Sequence, residues 1–464
     1  MSNFNFSTFQ SPFSWRYGSD KMRQIFSEEN KFLIWRKIWV ELARAQYQYK
    51  LVSRSELNDL IRNEKNLDID RILAIEKETG HDTVAAIKEF AEKATVGGGK
   101  IHLGATSMDI VDNTDTLRAK QAIEIIETKL GFLLKVFAEQ ITELANIPTL
   151  AYTHLQAAEP TTIGYRLSLY AQDLLLDFEQ LQFVKKQLKA KGLKGAVGTA
   201  ASYSKLVGEK DVEMLEARVM NSLGIEAVLI AGQTSPRKFD VLIAQILSSI
   251  AQSLHKFAFD VRVLQSAGFG EWVEPFGKKQ VGSSAMPFKK NPVKSEQICS
   301  IARFIVSLER TAWDNAALSL LERTIDDSAN RRSAVPEMFL ATDEILMAST
   351  KIVKDFTINQ TKVESNLAKF APFTATEEII IKAVKKGADR QRMHEIIRDY
   401  AIDAWEKVQN NEANSLSQSL AKDIYISKFL SPKEIEASLT VSEHLGTASQ
   451  RAKKLVQKIN KVIK

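Results

Sequence analysis

Apolar side chains recur at three- and four-residue steps through most of this 464-residue chain, and strand-like alternation is nearly absent. In 114–147 the series Leu117, Ile123, Ile126, Leu130, Leu133, Phe137, Ile141 and Leu144 has the spacing that lines one face of a helix. Pro148 is expected to end that helix and Pro160 to open another. The second carries Ile163, Leu167, Tyr170, Leu174, Phe178, Leu181, Val184 and Leu188 on one face. A third is expected to begin at Ser235-Pro236, an N-cap and first-turn pair, and carries Phe239, Ile243, Ile246, Ile250, Leu254, Phe257, Val261 and Leu264. A fourth starts at Asn291-Pro292 and runs through Ile298, Ile301 and Ile305.

Helices of about thirty residues are roughly 45 Å long, beyond the globular average. Near-heptad seams favour side-by-side packing as a bundle, and a rod of this length buries only one stripe inside a single small bundle. The expected fold is therefore all-α. An elongated long-helix bundle over 107–358 is flanked by smaller helical domains over 1–106 and 359–464, and the second face of the bundle is buried against other copies of the chain. The aromatic and leucine stripes read as core or subunit interface, not as cofactor boxes.

Composition narrows the class. With 44% hydrophobic and 26% charged residues, the chain is an ordinary globular one, and disordered and collagen-like classes drop out. No apolar run approaches eighteen residues, so no membrane span is expected; the first twenty residues lack the pattern of a signal peptide. Cys299 is the single cysteine, which excludes an intrachain disulfide and suits a reducing cytoplasm. The net charge of +6 is mild over this length and reads first as solvated surface. No block of five or six like charges and no nucleic-acid fingerprint accompanies it. Six histidines and one cysteine show no zinc spacing, so no metal is expected.

The candidate chemistry lies in polar segments that interrupt the rods. In "VGSSAMPFKKNPVKSEQ" (281–297), Gly282 permits tight backbone geometry around Ser283 and Ser284. Asn291 is placed to cap the following helix, whose N-terminus together with Lys289 makes the region electropositive. A serine hydroxyl is a poor base, and only a site that strongly stabilises its alkoxide lets it take a proton. On composition alone the segment is either such a site or a flexible surface turn. "TSMDIVDNTDT" (106–116) and "YTHLQAAEPTTIGYR" (152–166) flank the first rod. His154 is expected at the end of a bundle helix, either as an acid titrating near neutrality or as a packed or solvated side chain. "LERTIDDSANRRSAVPE" (321–337) sets Arg323, Arg331 and Arg332 among Ser328 and Asn330. Arginines with hydroxyls suit phosphate, and they suit a salt-bridged helix cap equally well.

"GSSAMPFKKNP" resembles the signature loop of the fumarase/aspartase superfamily. Together with "SWRYGSD", "GHD" at 80–82, "IHLGATSMDIVDNTD", "THLQAAEPTT", "KGAVGTAAS", "AGQTSPRK" and "ERTIDDSANRR", it makes the chain similar to the adenylosuccinate lyase family from about Ser14 to about Gln450. The resemblance implies a β-elimination of fumarate from adenylosuccinate, giving AMP, and from succinylaminoimidazole carboxamide ribotide, giving AICAR. By the family pattern Ser283 is the base, His154 the general acid and Glu296 the residue that orients it. Lys289 and Asn291 hold the succinyl carboxylates, helped by Thr106, Ser107, Thr153 and Gln233. Arg16, Tyr17, Arg323, Ser328 and Arg332 match the phosphate and ribose contacts, and His81 with Asp82 line the pocket. No cofactor is implied. A homotetramer is, with each site drawing on three subunits.

Gly80, Asp109 and Gln297 depart from the family pattern, each at a position expected to touch the pocket, which opens the question of preference between the two substrates. Two other readings remain at this level: another superfamily lyase or cycloisomerase, which has no need of the phosphate-type arginines, and a non-catalytic helical assembly protein.

Overall fold

A computed structural model describes residues 6–410, 412–439 and 444–463. The described chain is all-α in class, with two short antiparallel strand pairs. Five long helices dominate it: α1 (Ser107–Leu144), α2 (Ile163–Gln187), α3 (Lys238–Gln265), α4 (Val293–Ala317) and α5 (Asp326–Asp355). The residues expected to form their seams are buried, with Ile123, Ile126, Leu130, Phe137, Leu167, Leu174, Leu181, Ile250, Leu254, Ile298 and Ile305 almost fully excluded from water. Burial of one such side chain stabilises the fold by about 1.5–3 kcal/mol.

Contacts divide the chain into two compact units. The first comprises Met1–Leu130, Asp177–Gln252 and Ser300–Met347. Its core is built on the helix Glu28–Tyr47, which places Phe32, Trp35, Ile38 and Trp39 against Phe90 and Leu60. Ser27 caps that helix by accepting from the Asn30 amide, and Glu28 and Glu29 complement the dipole in its first turn. Arg36 pairs with the fully buried Glu89 and tethers the neighbouring helix Asp82–Lys93. The preceding helix, Ile69–Thr79, stops at Gly80, whose φ of +66° is the left-handed cap that glycine adopts without strain.

The second unit comprises Gly131–Leu176, Ser253–Cys299 and Ala348–Lys464. Its C-terminal helices bury Ile379, Met393, Ile397, Leu420, Ile426 and Ile435 in one cluster. Gly164 lets the start of α2 approach the end of α1: a Cβ there would lie 2.6 Å from Ala145 Cα.

Three element boundaries differ from the sequence reading. Pro148 and Pro160 lie in a hairpin, not at helix ends: β1 (Pro148–Thr153) pairs with β2 (Gln156–Thr162), Pro160 opposite Leu150. A two-stranded ribbon has only edges, where proline's missing N–H is tolerated. The actual cap of α2 is Thr162, whose Oγ1 accepts from the Tyr165 amide. α3 begins at Lys238, just past Ser235-Pro236. Asn291 does not cap α4 with its side chain, for reasons that belong to the site.

Candidate functional site

In the first unit a cavity of about 820 Å³ is lined by His81, Asp82, Ser107, Arg323, Ser328 and Arg332 among others. These six come from three separate stretches of sequence. His81 is the N-cap of the helix Asp82–Lys93, and Asp82 accepts a hydrogen bond from Arg332 Nη2 at 2.9 Å. Burial pushes the Asp82 carboxyl up, but the Thr83 amide and the Arg332 guanidinium outweigh it and hold the group below its usual range. Arg323 donates to Gln233 Oε1 at 2.6 Å, and among the described residues it has no carboxylate partner. It is therefore a cation on the cavity wall with charge to spare.

Arg331 has the opposite role. It pairs with Asp240 and Asp115 and lies near Asp112, while Arg237 bridges Asp112 and Asp327. Burial alone would depress the Arg331 guanidinium, but Asp240, Asp115 and Asp112 hold it well above the ordinary arginine range. All three arginines in "ERTIDDSANRR" line the cavity, but Arg331 is the one held by several buried carboxylates, whereas Arg332 has the single partner Asp82.

The remaining expected residues of this unit are less directly placed. Ser11, Phe13 and Ser14 line the cavity; Arg16 and Tyr17, just after them, do not, and the exposed Arg16 guanidinium sits 5.8 Å from the Tyr17 ring centre. Thr106 donates its amide to Asp109 Oδ2 at 3.1 Å. His102, in "IHLGATS", accepts from Trp39 Nε1 at 3.0 Å, and burial lowers its pKa to about 4. That imidazole stays neutral at physiological pH.

In the second unit, Thr153 and His154 stand at the exposed tip of the β1–β2 hairpin. Thr153 pairs with Gln156, so His154 and Leu155 alone form the loop, both with positive φ (54° and 59°). A two-residue loop with both φ positive is the type I′ turn, which normally recruits Asn or Gly. His154 is therefore not at a helix end. It is displayed on a strained turn costing of order 1–2 kcal/mol per residue.

The loop before α4 holds the serine. Ser283 Oγ accepts from the amides of Ala285 (3.3 Å) and Met286 (3.0 Å). Two N–H dipoles aimed at one oxygen stabilise negative charge on it, which is what a serine base requires. Asn291 donates to the Gly282 carbonyl at 2.8 Å and so closes the loop instead of capping the helix. Gly282 is required there, because a Cβ would lie 2.1 Å from the Lys289 carbonyl oxygen.

The helix cap comes from Glu274. This buried carboxylate accepts from the Lys294 and Ser295 amides, each at 3.0 Å, and from Ser295 Oγ at 2.9 Å. The positive end of the α4 dipole is thereby occupied, and the loop's free positive charge rests on lysines such as the exposed Lys289. Glu296 is exposed in the first turn of α4. Among the described residues of one chain, no hydrogen bond or ion pair joins it to His154.

No group of three or more His, Cys, Asp or Glu among the described residues is placed to hold a metal ion, and no described helix is long and apolar enough to cross a membrane.

Residues 16–307 match the family of lyases, and residues 372–455 match the adenylosuccinate lyase C-terminus. A Saccharomyces cerevisiae adenylosuccinate lyase is 37% identical over 464 residues, covering 98% of this chain and 95% of the relative. The chain belongs to the adenylosuccinate lyase family. A Schistosoma mansoni adenylosuccinate lyase is 36% identical, with coverage of 90% and 88%. The crystal structure of a 3-carboxy-cis,cis-muconate lactonizing enzyme from Pseudomonas putida superposes with a TM-score of 0.86 at 23% identity, covering 97% of this chain and all of that one. At that identity the likeness is one of fold.

Against the adenylosuccinate lyase pattern, the three departures have different consequences. Gly80 lines the cavity and leaves open space where a longer side chain would project. Gln297 accepts from Lys294 Nζ. Asp109 does not line the cavity. It is wholly buried, pairs with the equally buried Lys191, and accepts from the Lys194 and Gly195 amides and from Tyr203 Oη. Its role is to pin the 191–203 segment to α1.

Sequence reasoning missed Glu271, Glu274, Arg237 and Asp327. "EWVEP" at 271–275 held the available signal: two carboxylates within an otherwise apolar strand-like stretch need buried partners.

Proposed function

We propose that this chain eliminates fumarate from adenylosuccinate, giving AMP, and from the related carboxamide ribotide, giving AICAR, as a cytoplasmic enzyme of purine biosynthesis. Ser283 Oγ removes the proton from the carbon beside a succinyl carboxylate. The C–N bond breaks, its electron pair stays on nitrogen, and His154 protonates that nitrogen. Glu296 orients His154. Lys289 and Asn291 bind the succinyl carboxylates with Thr106, Ser107, Thr153 and Gln233. Arg323, Ser328 and Arg332 bind phosphate and ribose with Arg16 and Tyr17, and His81 and Asp82 close the pocket. These proton transfers and fixed charges need no cofactor.

The observation that carries this reading is Ser283 Oγ facing two backbone amides inside a lysine-bearing loop. The guanidinium pair of the first unit favours a phosphorylated substrate over the simpler substrates of other lyases and cycloisomerases of similar fold. A helical scaffold has no use for either feature.

Self-association as a homotetramer belongs to the proposal, as does the division of the chain at 106 and 358. α2 presents Leu169, Leu176 and Phe183, each more than half exposed and seven residues apart, the heptad spacing of a helix seam awaiting a partner. The three-subunit site explains why His154 and Glu296 are not joined within one chain. Purified protein given adenylosuccinate should release fumarate and AMP in equal amounts; absence of fumarate would reject the assignment.

A further inference from the structure

Glu271 belongs to the second unit and is wholly excluded from water. Its Oε1 accepts from Tyr152 Oη at 2.6 Å and Asn366 Nδ2 at 2.9 Å; its Oε2 accepts from Arg166 Nη1 at 3.3 Å and Thr149 Oγ1 at 3.4 Å. Arg166 also donates to the Leu150 carbonyl. Three positions of β1 (149, 150 and 152) are therefore fastened directly or through Arg166 to one carboxylate. The Tyr152 ring packs edge-on against Phe269 with centroids 4.7 Å apart.

Two features of the hairpin call for such an anchor. Its register slips between Leu150 and Tyr152, so that two residues of β2 face one of β1; a bulge of this kind re-aims the strand beyond it. Beyond it lies the His154–Leu155 turn, in a backbone conformation that neither residue favours. Strain of this type persists only where the surroundings over-determine it. The last tethered side chain before the tip is Tyr152, two residues from His154.

We infer that Glu271, acting through Tyr152 and Arg166, is a positioning residue that sets the direction of the His154 turn for proton delivery. This rests on the general-acid role proposed for His154. A carboxylate suits the place because it only accepts, and all four neighbours present donors. An amide would turn one donor against another and leave Arg166 without its counter-charge.

The test uses Tyr152→Phe, which removes one hydroxyl and keeps the ring packing, beside Glu271→Gln and His154→Ala. Tyr152→Phe should lower kcat at least tenfold with KM within twofold, and hydrogen exchange over 148–162 should quicken. In the His154→Ala background it should cause no further loss. An unchanged kcat, or an equal loss in that background, would overturn the inference by showing that Tyr152 does not act through His154. Were His154→Ala itself nearly as active as the parent, the acid assignment would fall. The anchoring role would then be decided by exchange: faster at 148–162 in Tyr152→Phe and Glu271→Gln upholds it, and unchanged exchange overturns it.

Discussion

Arg332 on α5 donates to Asp82, 250 residues earlier in the chain, at 2.9 Å. The pair lines the cavity, and it sets Arg332 apart from Arg323. Arg332 is partly neutralised by a carboxylate, whereas Arg323 has no carboxylate partner among the described residues and donates to the amide oxygen of Gln233. Arg323→Ala should therefore raise KM for adenylosuccinate more than Arg332→Ala. A lost charge-assisted hydrogen bond of about 1.5–3 kcal/mol corresponds to roughly ten- to a hundredfold. A succinyl substrate analogue lacking phosphate should be nearly indifferent to Arg323→Ala. Equal damage towards both substrates would make the arginine structural.

The Asp82 carboxyl is held below its ordinary range despite burial. A depressed folded-state pKa contributes stability that is present above the unfolded value and is lost as pH falls through the folded one. Asp82→Asn should thus be less stable than the parent by a constant margin between about pH 5.5 and 8, and the difference should shrink on acidification below the usual carboxylate range. Chemical denaturation at several pH values reads this directly. A margin that widened on acidification would contradict it.

Asp109 gives a prediction about stability instead of specificity. Asp109→Ala strands the buried ammonium of Lys191, and breaking a buried pair of this kind costs about 3–5 kcal/mol. The denaturation midpoint should fall accordingly, while the ratio of activities on the two succinyl substrates stays the same. A stable variant with an altered ratio would restore Asp109 to the pocket.

The long seams were legible in the sequence because a buried stripe repeats over many turns; Ile126 and Leu254 needed no tertiary context. The hairpin was not. Pro148 and Pro160 read as helix punctuation, since a two-residue turn made of His154 and Leu155 carries none of the usual glycine or asparagine signal. Asn291 before a proline looks like a cap, and only the folded loop shows Glu274 already there. Local sequence cannot reveal a cap supplied from twenty residues away. Arg323 and Arg331 are chemically identical in sequence, and what separates them is the set of aspartates on α1 and α3 that one of them meets. Composition leaves the 281–297 loop open between a site and a surface turn, and the family resemblance singles out Ser283; the amides that face it are a property of the backbone.

Subunit sharing can be read by complementation. His154→Ala and Ser283→Ala, each inactive alone, should regain activity when dissociated and reassembled together. Random pairing of the two chains gives at most about a quarter of parental activity, if the two side chains of each site come from different subunits. Hybrid tetramers confirmed by native mass spectrometry, yet without activity, would rule out the shared site.

The most direct measurement is the chemical step in Ser283→Ala, followed in a single turnover with enzyme in excess over adenylosuccinate. Ser283 Oγ is the only atom asked to remove the proton, and acid–base groups contribute about 10²–10⁴-fold. The predicted result is fumarate release slowed by at least a hundredfold, with binding of adenylosuccinate changed only a few-fold and helicity unchanged. Release at near-parental speed would contradict the account.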